Sequence, residues 1–145
     1  MRINEVLAGK GSREVVTVRP DATVRRLVEM LAEHNIGALV VSADGTGVDG
    51  IVSERDVVRR LHEDEGLLDS HVSTIMSSEV RTCEGGNTVD EVMALMTAGR
   101  FRHVPVVRDG RLSGIVSIGD VVKSRMSQLE FERDQLDSYV HGSQS

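Results

Sequence analysis

A chain of 145 residues with 39% hydrophobic and 28% charged side chains is long enough to bury a core and has the balance of an ordinary globular protein. Aromatics make up only 2% and the formal charge is -6, so stacking on single-stranded nucleic acid and binding to a phosphate backbone are both disfavoured. Cys83 is the only cysteine, which excludes an intrachain disulfide and fits a reducing cytoplasm, and no segment approaches the ~20 apolar residues of a membrane helix.

The chain begins with a short helical turn, Ile3 to Leu7. A strand is expected at Val15 to Val18, then a turn at Arg19-Pro20-Asp21-Ala22 and a helix with Val24, Leu27, Val28 and Leu31 on one face. A strand at Ala38 to Ser42, a turn through Asp44-Gly45, a strand at Gly50 to Ser53 and a second helix complete a β-α-β-β-α order. The same order then returns. A helical turn at Val72 to Met76 leads to a strand at Val80 to Cys83, the turn Glu84-Gly85-Gly86-Asn87 and a helix carrying Val89, Val92, Met93 and Met96, opened by the capping box Thr88-x-x-Glu91. Strands at His103 to Val107 and Gly114 to Ser117 flank Asp109-Gly110. The repeat spacing is 65 at Thr23/Thr88 and 64 at Gly50/Gly114, which places the length change in the Asp-Gly turn. The positional match of the helical turns suggests that each repeat includes its lead-in.

One unit of ~60 residues buries too little surface alone. The expected architecture is therefore α/β (α+β), with two repeats, 1–69 and 70–126, packed as a pseudo-two-fold pair, followed by a C-terminal helical extension, 127–145. From Val121 to His141 a helical period runs through Val122, Met126, Leu129, Leu136 and Val140 toward the C′ glycine Gly142. At 1.5 Å per residue that helix is about 30 Å long. Its length points to packing on a second subunit, with a helix folded along its own domain as the alternative.

The chemistry centres on a junction that occurs twice. In Gly50-Ile51-Val52-Ser53-Glu54-Arg55-Asp56 and Gly114-Ile115-Val116-Ser117-Ile118-Gly119-Asp120 a strand ends at a serine, and an aspartate follows one helical turn later. Read plainly, Ser and Asp are an N-cap pair. Read as a site, the free N–H groups and dipole of a helix start lie beside a hydroxyl and a carboxylate, where a phosphate and a ribose can be held. Before the middle strand, Arg100-Phe101-Arg102-His103 in the second repeat faces the nearly uncharged Asn35-Ile36-Gly37-Ala38 in the first, which predicts two unequal pockets. The histidines lack metal-site spacing, so no metal is expected. Gly9-Lys10-Gly11-Ser12 is only a fragment of a phosphate loop and follows a helical turn, and no nucleophile elbow or acid pair is present, so no enzymatic activity is expected.

These residues resemble the CBS-domain pair, or Bateman module, over nearly all of the chain. The resemblance rests on the two junctions together with Ile36-Gly37-Ala38-Leu39-Val40-Val41 and Gly99-Arg100-Phe101-Arg102-His103-Val104-Pro105-Val106. It implies a regulatory protein binding an adenosine nucleotide (AMP foremost, with ADP, ATP, NAD or S-adenosylmethionine as alternatives) and needing no other cofactor. It further implies that Asp120 and Asp56 accept ribose hydroxyls, and that Ser117, Arg102, His103, Ser53 and Arg55 meet phosphate. Ser12, Val15 and Val16 would border adenine in the Asp120 cleft, and Met76, Ser77 and Val80 in the Asp56 cleft, beside Ile36, Gly37 and Ala38. The expected partners are a second copy of the chain and an effector protein, with no nucleic acid and no membrane. A constitutive dimerisation module without a nucleotide is the alternative.

Overall fold

The computed structural model describes residues 1–10 and 15–142. Its elements in chain order are α1 (Ile3–Ala8), β1 (Thr17–Val18), α2 (Val24–His34), β2 (Ala38–Val41), β3 (Gly50–Ser53), α3 (Glu54–Leu61), β4 (Cys83–Glu84), α4 (Val89–Gly99), β5 (His103–Arg108), β6 (Arg111–Ser117) and α5 (Ile118–Gly142). Single 3₁₀ turns at Leu67–Asp69 and Val72–Thr74 join the halves. Two three-stranded sheets result, β1-β2-β3 and β4-β5-β6, each with a parallel first pair and an antiparallel second pair. The expected β-α-β-β-α order holds in both halves.

The first strands are shorter than their sequences suggest. Only Thr17 and Val18 pair with β2, leaving Val15 and Val16 outside the ladder, and in the second half pairing starts at Cys83, beyond Val80. The two Asp-Gly segments also diverge. Asp109 and Gly110 both have positive φ, 53° and 75°, and make the tight two-residue turn expected between β5 and β6. In the first half the wider loop is organised by Asp44, whose Oδ1 accepts from the N–H groups of Thr46 and Gly47 at 2.9 Å and from the Ser42 hydroxyl at 3.2 Å. Those N–H bonds hold the Asp44 carboxyl well below the usual carboxylate range.

Each half has its own aliphatic core, and each core is completed by the other half's lead-in. Val18, Leu27, Leu39, Val41, Val52 and Leu67 of the first half pack with Val72 and Ile75. Val89, Val92, Val104, Val106 and Val116 of the second pack with Ile3 and Val6 of α1. The backbone follows the same exchange. Ile3 N–H donates to Asn87 O at 2.9 Å and Asn4 N–H to Gly85 O at 3.0 Å; in the counterpart, Val72 N–H donates to Ala22 O at 2.8 Å and Ser73 N–H to Pro20 O at 3.0 Å. The lead-ins therefore recur with the sequence repeat but pack in the opposite core. Cys83 lies in the second core, where burial pushes its thiol up to about 11.

The exchange also explains the glycine that opens each junction. A Cβ at Gly50 would lie 2.7 Å from Met76 Sδ and 2.9 Å from the Ser77 carbonyl oxygen, while one at Gly114 would lie 2.9 Å from both Leu7 methyls. Gly50 thus meets backbone and Gly114 the movable end of a side chain. Gly50→Ala should lower stability by about 1–3 kcal/mol, and Gly114→Ala by clearly less as Leu7 turns aside. Urea unfolding of the two variants measures the difference; equal losses would show that the strand at Ser77 yields as easily as Leu7.

Candidate functional site

The strand register aligns the two junctions. Ser53 lies opposite Ala38 and Ser117 opposite His103. Glu54 N–H donates to Gly37 O at 2.9 Å and Ile118 N–H to Arg102 O at 2.8 Å, so the segment before each middle strand is tied to the start of the helix beside it. Both helix starts are capped from within. The Ser53 hydroxyl accepts from Asp56 N–H at 3.3 Å, and Asp56 Oδ2 accepts from Ser53 N–H at 2.9 Å and the Ser53 hydroxyl at 3.1 Å. In the second half Asp120 N–H donates to the Ser117 hydroxyl at 3.1 Å and Ser117 N–H to Asp120 Oδ2 at 2.8 Å. These bonds converge on Oδ2 of each aspartate.

The second junction has an additional partner. Lys10, just past α1, donates to Asp120 Oδ2 at 2.8 Å and to Ile115 O at 2.9 Å. Both side chains are partly shielded, at 31% and 22% exposure, so this pair is less screened than a surface salt bridge. Burial pushes the Asp120 carboxyl up, but the Lys10 ammonium and the Ser117 bonds outweigh it and hold the group below its ordinary value. His103 is half-buried. Burial lowers its pKa more than the nearby Asp120 raises it, with Lys10 and Arg102 lowering it further and Glu54 opposing them.

On the Lys10 side of this pair a cavity of about 570 Å³ opens between the halves, a size suited to a small ligand; Lys10 lines it, whereas Asp120, Ser117, His103 and Arg102 do not. Its walls include Leu7, Ala8, Val15, Val16, Ile36, Ala38, Gly114 and Ile115, and Lys10, His34 and Arg108 bring positive or titratable groups to it. The expected residues are distributed unevenly about it. Val15 and Val16 line it beside Lys10, the partner of Asp120. Ile36 and Ala38, expected beside Asp56, also line this cavity, and Ala38 lies opposite Ser53 of the first junction. Gly37 faces the centre, where a Cβ would lie 3.5 Å from Glu54 Oε1 and 3.8 Å from His103 Cε1. Met76 and Ser77 press on Gly50, and the backbones of Ser77 and Ile51 exchange bonds at 2.9 and 3.0 Å. Val80 is half-buried, whereas Arg55 and Arg102 are exposed. Ser12 lies outside the described residues.

Two residues at this centre escaped the sequence reading. Lys10 was set aside with the fragmentary phosphate loop, and its bond to Asp120 spans 110 positions. Glu54 had a fainter signal: the first junction reads Ser-Glu-Arg-Asp where the second reads Ser-Ile-Gly-Asp, so a charge is present in one copy only. Among the described residues no group of three or more His, Cys, Asp or Glu side chains is placed to hold a metal ion, and no helix is long and apolar enough to cross a membrane.

Two exchanged α+β repeats with a Ser/Asp junction at each cleft define a tandem module of the CBS type. The CBS domain model matches residues 8–63 and 72–127, and the chain belongs to that family. It is similar to the mitochondrial CBS domain-containing protein CBSX3 of Arabidopsis thaliana, at 34% identity across 97% of this chain and 72% of that protein. It also resembles the crystal structure of a CBS-domain containing protein from Agrobacterium tumefaciens, with a TM-score of 0.82 and 44% identity over 86% of this chain and 99% of that one. The fold is shared with the CBS domain pair of protein MJ0100, solved with 5′-methylthioadenosine and S-adenosyl-L-methionine, at TM-score 0.76 and 24% identity over 85% of this chain and 98% of that one. It is likewise shared with CBSX2, solved with AMP, at TM-score 0.73 and 23% identity over 87% and 96%.

The pairing of Lys10 with Asp120 sets a titration behaviour. Because the folded carboxyl sits below its unfolded value, its stabilising contribution is complete above the unfolded pKa and is lost as pH falls through the folded one. Carbon-13 NMR of the side-chain carboxyl should find the Asp120 midpoint below that of an ordinary aspartate, and Lys10→Met should move it upward. An unchanged midpoint in Lys10→Met would mean that Ser117, and not the ammonium, sets it.

Proposed function

We propose that this chain is a cytoplasmic, homodimeric regulatory module that senses an adenosine nucleotide, AMP foremost, in clefts between its CBS repeats, and that it catalyses no reaction itself. The observation that carries this reading is the cavity lined by Gly114 and Ile115 of the second junction and by Lys10, the partner of Asp120, with apolar walls at Val15, Val16 and Ile36 and a further cation at Arg108. Two proteins of the same fold, whose complexes contain AMP in one case and S-adenosyl-L-methionine with 5′-methylthioadenosine in the other, support an adenosine ligand.

In the proposed complex the ribose diol donates to Asp120, whose Oδ1 accepts none of the bonds described above, and the phosphate meets the N-terminus of α5, Ser117 and His103. Arg102 stands at the edge as a further phosphate donor, while Val15 and Val16 border the base. Lys10, displaced from Asp120 by the ribose, turns its ammonium toward the phosphate. ADP, ATP, NAD and S-adenosylmethionine are the other candidates in this ligand class. The Asp56 cleft, bordered by Met76, Ser77 and Val80, is poorer in donors, since Ala38 and Gly37 replace His103 and Arg102. Arg55 is the one cation in that junction's own motif, and the Glu54 carboxylate next to it opposes a polyphosphate. Occupancy shifts a conformational equilibrium that an effector protein reads, and only to the extent that the nucleotide binds the two states unequally.

A constitutive dimerisation module is the second reading. It is favoured by the internal completeness of both caps and by Lys10, which already satisfies Asp120.

Thermal unfolding with AMP, ADP, ATP, NAD and S-adenosylmethionine separates the two. A physiological ligand at ~100 times its dissociation constant adds roughly 2.7 kcal/mol of stability, and Asp120→Asn should abolish that gain. Stability unmoved by every nucleotide would leave the dimerisation reading standing. Proton linkage gives an independent check. Burial lowers the His103 pKa, and a phosphate beside it would raise it, so binding takes up protons. Calorimetry should find that AMP affinity gains up to about tenfold more on lowering the pH from about 8 to about 6 in wild type than in His103→Gln. Parallel pH profiles would remove His103 from the phosphate site.

A further inference from the structure

The C-terminal helix starts on the body and leaves it. Val121 is buried and Ser124, Arg125 and Gln128 are half-buried, whereas every residue from Leu129 to His141 is exposed. An isolated helical segment of this length is marginal in water, so a projecting one requires a packing partner. Large apolar side chains stand in the open along it, with Met126 57%, Leu129 50% and Leu136 65% exposed. Their spacing is not that of a surface helix wrapped on its own core. Val122, Met126, Leu129, Arg133 and Leu136 alternate steps of four and three, the seam of a two-helix coiled coil, with Arg133 as its one polar position.

We propose that this seam binds the same helix of a second copy, antiparallel. The charges decide both the occupant and the direction. In a parallel pair the two Arg125–Glu130 attractions are cancelled by two Glu132–Asp137 like-charge contacts, and Arg133 faces Arg133 of the second copy inside the seam with nothing to offset it. In the antiparallel pair Met126 faces Leu136 and Arg133 faces Leu129, with the guanidinium reaching Glu132 of the second copy. Lys123 then stands beside Asp137 twice, and Arg125 beside the ring of Tyr139 twice; the opposing cost is two like-charge contacts at the centre, Glu130–Glu130 and Glu132–Glu132, the second offset by the Arg133 guanidinium of each copy. The lengths also agree. With Met126 opposite Leu136, the projecting segment of one copy covers the other copy's helix down to Val122, whose side chain is exposed on the body. Phe131 points away from the seam and is left in solvent. The inference rests on the homodimer reading and supplies its interface; it is independent of whether a nucleotide binds.

Sedimentation velocity across a concentration series tests it on the full chain. Wild type should be a dimer, and Leu129→Asp combined with Leu136→Asp should weaken dimerisation by about 100-fold or more while circular dichroism and the unfolding midpoint of the body stay unchanged. Direction is read by oxidation of single-cysteine variants, for which the buried Cys83 thiol does not compete. Met126→Cys chains mixed with Leu136→Cys chains should form a mixed disulfide, and Leu136→Cys alone should not cross-link. A wild-type monomer at every concentration overturns both the seam and the homodimer. A double variant that remains dimeric overturns the seam and leaves the homodimer intact, and efficient self-cross-linking of Leu136→Cys overturns the antiparallel arrangement.

Discussion

Neither sheet of this protein closes its core with its own half of the chain. Ile3 and Val6 fill the second core, while Val72 and Ile75 fill the first, and backbone bonds fasten each lead-in to the turn before the opposite half's first helix. Each half therefore buries enough apolar surface only in the presence of the other. The two repeats form one folding unit. Separation of the halves as hinged domains would strip both cores at once, so any response to a ligand takes place within a closed pair.

The site follows from the same exchange. A lead-in passing over the start of β3 or β6 requires glycine there, and the chain entering β1 leaves Val15 and Val16 free of the ladder to wall the cavity. It also delivers Lys10 from the end of α1 onto Asp120. The two junctions share the same cap hydrogen bonds, with Ser N–H to Asp at 2.9 and 2.8 Å and Asp N–H to Ser at 3.3 and 3.1 Å, yet their surroundings differ in charge. One has Lys10 and His103; the other has Glu54 and Ala38. Pseudo-symmetry sets the frame, and four side chains make the clefts unequal.

Much of this was legible in the sequence because it was written twice. The repeat aligned the strands, helices and Ser/Asp junctions, and local chemistry sufficed for the capping at Thr23 and Thr88 and for the Asp109-Gly110 turn. Long-range facts were not legible. Positional matching put each lead-in with its own repeat, since no local pattern tells which core will receive Ile3. Lys10 looked like part of a broken phosphate loop because its partner lies in the other half of the chain. The loop at Asp44 shares its Asp-Gly with a hairpin, but hydrogen bonds from Ser42, Thr46 and Gly47 give it another shape. Ile36 and Ala38 line the cavity together with Lys10, although Ala38 also lies opposite Ser53 of the first junction.

One consequence concerns mechanical gain. The helix that carries Asp120 in its first turn continues without interruption to Gly142, some 37 Å at 1.5 Å per residue. On a rod of that length small movements at the base are multiplied: a tilt of about 5° would displace its tip by about 3 Å. The Lys10–Asp120 contact thus sits at the base of the longest helix among the described residues, where the exchange of partners in the proposed complex would have the greatest leverage.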